Sequence, residues 1–409
     1  METHLADWIK GTPDGQLAEE ILRNCVHCGF CTATCPTYQI LGDELDGPRG
    51  RIYLIKQALE GEPAGRATQQ HLDRCLTCRN CETTCPSGVQ YGHLVDIGRR
   101  VIESRVARPL GERLLRGALR EGLTRRWLFD PAMRVGQALR PLVPASLRNK
   151  VPERRPPGSW PRTEHASRVL ILRGCVQPAM MPSIDAATAR VLDRIGVQTL
   201  VEARSACCGA VRLHLNDHAG GLADARRNID AWWPHVQAGI EAILINASGC
   251  GAMVKDYAHL LRDDPAYAER AARIVSLTHD LSEWLPARIE AAAPHIGAPA
   301  HRRVAFHPPC TLQHAQGIRG AVESLLVSLG AELVPFADPH LCCGSAGTYS
   351  VTQPELSMRL RDRKLAALQA GAPEAILSAN VGCLAHLASA ARVPVRHWIE
   401  WLDDAMARA

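Results

Sequence analysis

The pattern C-x2-C-x2-C-x3-C-P occurs at residues 25–36, "CVHCGFCTATCP", and again at 75–86, "CLTCRNCETTCP". Nothing else in the 409 residues restricts the fold as strongly. A tight loop delivers three thiolates to one iron–sulfur cubane, while a fourth, displaced by an extra residue and backed by proline, reaches the neighbouring cluster. The expected ligand sets are therefore Cys25, Cys28, Cys31 and Cys85 for one 4Fe-4S cluster, and Cys35, Cys75, Cys78 and Cys81 for the other. Structural zinc also takes four cysteines, but usually from two separated C-x2-C pairs.

At 46% hydrophobic and 22% charged residues the composition is that of a soluble chain long enough for two or three domains. The opening "METHLADWIKGTPDGQ" carries acids and no apolar run, so it does not read as a secretory signal. No stretch approaches eighteen apolar residues, and no membrane-spanning helix is expected. A cytoplasmic location follows, in which sixteen cysteines argue for metal or redox chemistry over disulfides.

Between the two runs, apolar Ile52, Leu54, Ile55, Ala58 and Leu59 have helical spacing, after a break at "DGPRGR". Arg49 and Arg51 there are candidates for raising a cluster's potential by offsetting its charge, the alternative being that they are simply solvated. Residues 99–162 hold sixteen basic against five acidic side chains, in a protein whose net charge is only +5. "PLGERLLRGALREGL" and "WLFDPAMRVGQALRPLV" set apolar residues at helical spacing against arginines. Such an arm suits an anionic membrane face or an acidic partner, or forms linker helices packed on the body with a solvated basic face. "PERRPPGSWPRTEH" reads as the joint that follows.

Beyond that joint the chain repeats itself. "RVLILRGCVQP" matches "RVAFHPPCTLQ", "SACCGA" matches "HLCCGSAG", and "EAILINASGCGAMV" matches "EAILSANVGCLAHL". Within each half, β-rich apolar runs alternate with helical patterns, which predicts βαβ units on a mostly parallel sheet. The expected class is α+β and α/β, multidomain: a small helical two-cluster domain (1–100), a basic helical arm and proline-rich linker (101–165), and two Cys-Cys-Gly α/β halves (166–300 and 301–409). Cys175, Cys250, Cys310 and Cys383 fall just past strand ends, where open α/β sheets bind ligands. A further iron–sulfur cluster is expected at Cys310, Cys342, Cys343 and Cys383, with Cys175, Cys207, Cys208 and Cys250 as the weaker candidate and a redox-active thiol pair as the alternative.

These residues carry a resemblance. Two ferredoxin-type runs followed by duplicated Cys-Cys-Gly halves resemble the iron–sulfur subunits that accompany flavin dehydrogenases of 2-hydroxy acids and glycerol 3-phosphate, and the cysteine-rich halves resemble heterodisulfide reductase. "ACCGAVRLHLN", "NIDAWWP", "CTLQHAQ", "CCGSAGTY" and "CVHCGFCTATCPTYQILGDELDGPRGRIYLIKQ" are most similar to the glycolate oxidase iron–sulfur subunit family, over essentially the whole chain. The heterodisulfide reductase pattern continues to C-x-x-C, whereas Cys250 and Cys383 stand alone, which speaks against a five-thiolate cluster. The resemblance implies an electron-transfer subunit of an oxidoreductase complex: glycolate becomes glyoxylate at a flavin on partner subunits, and electrons leave toward a quinone or membrane acceptor at the inner face of the cytoplasmic membrane. Relatives acting on lactate or glycerol 3-phosphate, and a thiol–disulfide oxidoreductase, are the alternatives. No G-x-G-x-x-G follows a strand, so no flavin or nucleotide site is expected, nor a catalytic residue, nor a nucleic-acid partner. His279, His307, His314 and His397 are either proton donors to a quinone or core and cap histidines. Trp232 and Trp233 are expected as packing or partner contacts.

Overall fold

A computed structural model describes residues 1–142, 151–292 and 296–408. Arg148 and Lys150 of the basic arm lie outside the described residues.

The N-terminal part is helical. Thr12 accepts a hydrogen bond from the Gly15 amide and Pro13 opens the first helix, Pro13–Asn24. The break at "DGPRGR" is the start of a helix: Pro48 begins Pro48–Leu59, which buries Ile52, Ile55, Ala58 and Leu59. This helix packs on Tyr91–Arg105 so closely that a Cβ at Gly98 would lie 2.5 Å from Ile55 Cγ1. The two cysteine runs repeat in backbone as well as in sequence. His27 and Thr77 have φ of 56° and 52°, and Gly29 and Arg79 have 83° and 57°. Left-handed backbone is costly for His, Thr and Arg. Its recurrence at matched positions curls each loop inward, with the Thr77 amide donating to Cys75 Sγ at 3.4 Å.

Helices Leu110–Thr124 and Arg126–Ala138 follow. Part of their basic charge is internal: Arg108 and Arg116 are buried against Asp73, and Arg212 reaches out to Glu121. The outer surface exposes Leu110, Leu114, Trp127, Val135 and Leu142.

Each later half carries a four-stranded parallel sheet. In the first, β1 (Ser167–Ile171), β2 (Val197–Leu200), β3 (Ala242–Ile245) and β4 (Thr278–Asp280) run in the order β2-β1-β3-β4. In the second, β5 (Arg303–His307), β6 (Glu332–Leu333), β7 (Ala375–Ser378) and β8 (Val395–His397) repeat it as β6-β5-β7-β8. Central β3 and β7 are buried throughout, as strands covered on both faces by helices must be. The halves share one core, in which Val169, Val191 and Leu285 of the first pack with Val304, Leu325 and Trp398 of the second. Helix Pro182–Arg194 packs on Trp398–Met406, and Leu281–Ala292 on Ala321–Ser328, so equivalent elements exchange partners about an approximate two-fold axis. Arg190 and Arg194 close the first contact on Asp403.

Candidate metal centres

Four groups of thiols form. Cys25, Cys28, Cys31 and Cys85 line one cavity, with Pro48, Ile52 and Val89 around them. Cys35, Cys75, Cys78 and Cys81 line a second, and Cys81 borders both. The cysteine that each run places last thus stands with the opposite triplet. Burial pushes the Cys25 thiol up and Cys31 up to about 11, and the neighbouring thiols Cys85 and Cys28 add to this. Burial thus favours the neutral thiols, and a cation bound among them supplies the positive charge that lets them ionise. The donor set, all sulfur and enclosed by loops, fits iron–sulfur clusters.

The second cavity rests on a buried arginine. Arg51, 1% exposed, donates to Thr37 Oγ1 (3.1 Å), Asp46 Oδ1 (3.3 Å) and the His71 carbonyl (2.8 Å). Burial opposes its charge, but Cys75, Tyr91, Cys35 and Asp46 outweigh this and hold its pKa above the usual value. Asp46 is also bound by Arg74 at 2.8 Å and lies 3.1 Å from His71 Nδ1. Of the two arginines weighed above, Arg49 is half-exposed and paired with Glu44, while Arg51 is anything but solvated. The Tyr91 hydroxyl donates to Cys75 Sγ at 3.6 Å.

In the second half, Cys310 Sγ and Cys342 Sγ are 3.8 Å apart, Cys343 adjoins Cys383, and the Gly344 amide donates to Cys342 Sγ at 3.4 Å. Gly344 has φ of 87°, and a Cβ there would lie 2.6 Å from the Ser357 carbonyl oxygen, so Cys-Cys-Gly requires its glycine twice over. Cys310 and Cys342 also pack with Cys78 of the second cavity. Three sulfur groups therefore form an unbroken row. In the first half Cys175 adjoins Cys207, Cys208 adjoins Cys250, and the Gly209 amide donates to Cys207 Sγ, all enclosed by Trp232 and Tyr257.

The histidines separate into different roles. His397 caps the last helix, its Nδ1 accepting from the Ile399 amide at 3.1 Å while Nε2 donates to the Asn246 carbonyl. His279 lies at the surface near Glu283, and His314 joins Thr83 to the His340 carbonyl. His307 differs. It is fully buried, neither ring nitrogen has a hydrogen-bond partner among the described residues, and its ring lies with Cys343 and Cys383 at metal-binding separation. Sequence reasoning had it only as a proton donor or core residue; the signal was "RVAFHPPC", where the other repeat has Leu172. Trp232 is buried and donates to Ser205 Oγ, and Trp233 stacks under Arg270.

Residues 169–255 and 304–388 match the cysteine-rich domain family, and residues 21–89 match the 4Fe-4S dicluster domain. The chain is 53% identical over 407 residues, 99% of each chain, to the glycolate oxidase iron-sulfur subunit of Escherichia coli (strain K12). It is 33% identical over 399 residues, 90% of this chain and 89% of the relative, to the probable glycolate oxidase iron-sulfur subunit of Bacillus subtilis (strain 168). To lactate utilization protein A of Exiguobacterium sp. it is 27% identical over 241 residues, 58% of this chain and 96% of the relative.

Proposed function

The chain belongs to the glycolate oxidase iron–sulfur subunit family, and from that premise we propose that it carries electrons from the flavin subunits of a glycolate-oxidising complex toward a quinone. Iron–sulfur clusters, when bound, take up and release single electrons without bond making at a substrate. Cys25, Cys28, Cys31 and Cys85 hold one 4Fe-4S cluster, Cys35, Cys75, Cys78 and Cys81 a second, and Cys310, Cys342, Cys343 and Cys383 a further iron–sulfur centre with His307 beside it. The observation that carries this reading is the packing of Cys78 on Cys310 and Cys342.

The surrounding residues tune and insulate these centres. Arg51 sets a fixed positive charge under the second, Tyr91 and the Thr77 amide donate to sulfur, and the Gly344 amide does so in the third. Residues 1–100 thus hold two centres, 166–300 and 301–409 form the duplicated body, and 101–165 join them. Leu114, Trp127 and Leu142, exposed beside Arg113, Arg125 and Arg134, suit a peripheral contact with the inner face of the cytoplasmic membrane. A thiol–disulfide role is disfavoured, because Cys342 and Cys343 are buried and out of reach of a disulfide substrate. Identity over the whole chain favours glycolate over lactate as the partner's substrate.

The test is iron and acid-labile sulfide analysis with low-temperature paramagnetic resonance during stepwise reduction of the anaerobically purified complex. Three iron–sulfur signals are expected. Substituting Cys85 should remove one and substituting Cys383 another; an unchanged spectrum in both variants would refute the ligand assignments.

A further inference from the structure

A cavity of about 340 Å³ lies where the N-terminal module meets both cysteine-rich halves, and the electron-carrying role does not by itself employ it. One wall is the loop of the second cysteine group: Thr77 and Arg79 line the cavity while flanking Cys78. Facing that loop, helix Tyr91–Arg105 supplies His93 and Asp96, and the first half supplies His214, Asp256 and His259.

Three features mark this space as a built site. The imidazoles of His93 and His259 stack across the module boundary with centroids 3.8 Å apart and planes 5° from parallel. They are held there by Arg79, which donates to Asp256 at 2.6 Å, with the other Asp256 oxygen 4.0 Å from His93 Nε2. Asp96 and His214 are both exposed at this cavity, Asp96 although Leu94, Val95, Ile97 and Gly98 around it are buried, and the side chain of neither makes a hydrogen bond among the described residues. Apolar Leu17, Ile97, Leu213, Met253 and Leu260 share the remaining walls with polar side chains such as Thr12, Asn216 and Thr311.

The chemistry of the walls selects the ligand. Acidic Asp14, Asp96, Asp256 and Asp263 offset Arg79, Arg100 and Arg262, so the cavity has no field that would favour a strongly charged substrate. A protein redox partner needs no internal cavity. Burial lowers the pKa of both stacked imidazoles, that of His259 to about 4, so both are neutral at neutral pH; with His93 Nδ1 donating to the Gln90 side chain at 3.3 Å and His259 Nε2 accepting from Arg262 at 3.2 Å, His93 keeps an acceptor and His259 an N–H donor. A neutral N–H donor on His259 beside apolar Leu213, Met253 and Leu260, facing a cluster loop, matches a flat ring bearing carbonyl oxygens, and the volume is in the range of small-molecule sites.

We propose that this cavity binds the head group of a quinone, with His93, His259 and Asp96 as its polar contacts. The proposal rests on the reading of the chain as an electron carrier whose acceptor is a quinone. Oxidation of one hydroxy acid to the oxo acid in the complex releases two electrons. The quinone takes up both, with two protons from solvent passing Asp96 and His214, so that its two C=O groups become C–OH and a quinol leaves.

The test uses the intact complex and a short-chain photoactivatable azidobenzoquinone. Illumination should label peptides from 91–105 or 252–263, and excess unlabelled short-chain ubiquinone should suppress that label. In Ala252→Trp, which fills the cavity, and in His259→Leu, the ratio of quinone-linked to dye-linked glycolate oxidation should fall about tenfold, the scale of one lost hydrogen bond to a ligand. Labelling of the native complex does not depend on either variant folding. Quinone reduction by the native complex with label only elsewhere, or an unchanged ratio in both well-folded variants, would overturn the site alone. Dye reduction with neither quinone reduction nor labelling would overturn the site together with the reading of quinone as the acceptor.

Discussion

Arg51 shows how much a single side chain can decide. Its guanidinium is enclosed with Asp46, so replacing it with Met leaves a carboxylate buried beside only Arg74 and His71. Breaking a buried pair from one side costs about 3–5 kcal/mol. Arg51→Met should therefore lower the denaturation midpoint, and, with a positive charge removed from beneath Cys35 and Cys75, should shift that centre's reduction potential downward in a redox titration. His307→Leu copies the residue of the other repeat, Leu172. It should alter the resonance signal of the Cys310, Cys342, Cys343 and Cys383 centre while leaving the other two signals in place; identical spectra would reduce His307 to packing. Neither residue's position was legible from sequence. Arg51 is buried by a carboxylate five positions away and a carbonyl twenty positions away, and His307 meets its cysteines only after β5 and β7 pair.

Elements were easier to read than residues, because their signals are local. The alternation of apolar strands and helical patterns foretold parallel sheets, and the duplicated motifs foretold that the two would be alike. What a strand pattern lacks is order: that β1 and β5 sit between their neighbours depends on crossovers many residues long. The close approach at Gly98 was likewise hidden, since an isolated glycine in a helix states nothing about what lies opposite. Gly98→Ala should cost about 1–3 kcal/mol through the clash with Ile55, read as a lower denaturant midpoint. In an Ile55→Ala background the same Gly98→Ala substitution should cost less than in the native chain, which distinguishes crowding from a change in helix propensity.

At the level of the whole molecule the modules are fastened by contacts far apart in sequence: Arg79 to Asp256, Asn80 to the His340 carbonyl, Thr83 to His314, and the Tyr349 hydroxyl to the Arg74 carbonyl. A chain cut at a protease site engineered across Pro157–Ser159 should therefore still elute as one particle; separation of the fragments would show that the tether, not the interface, holds the parts together. The arm offers a second check. Vesicles rich in anionic lipid should retain the complex at low salt and release it at high salt. Replacing Arg113, Arg125 and Arg134 with Ser should weaken retention by about 1 kcal/mol for each arginine. The central cavity, by contrast, left no trace in the sequence, being assembled from positions near 93, 214 and 259. The exchange of helices between the halves has one more consequence. A body with two matching flanks offers a lone asymmetric guest two equivalent berths, and occupying either one ends the equivalence. By resting Cys78 on Cys310 and Cys342, the N-terminal module joins its own row of sulfurs to one flank and not to the twin.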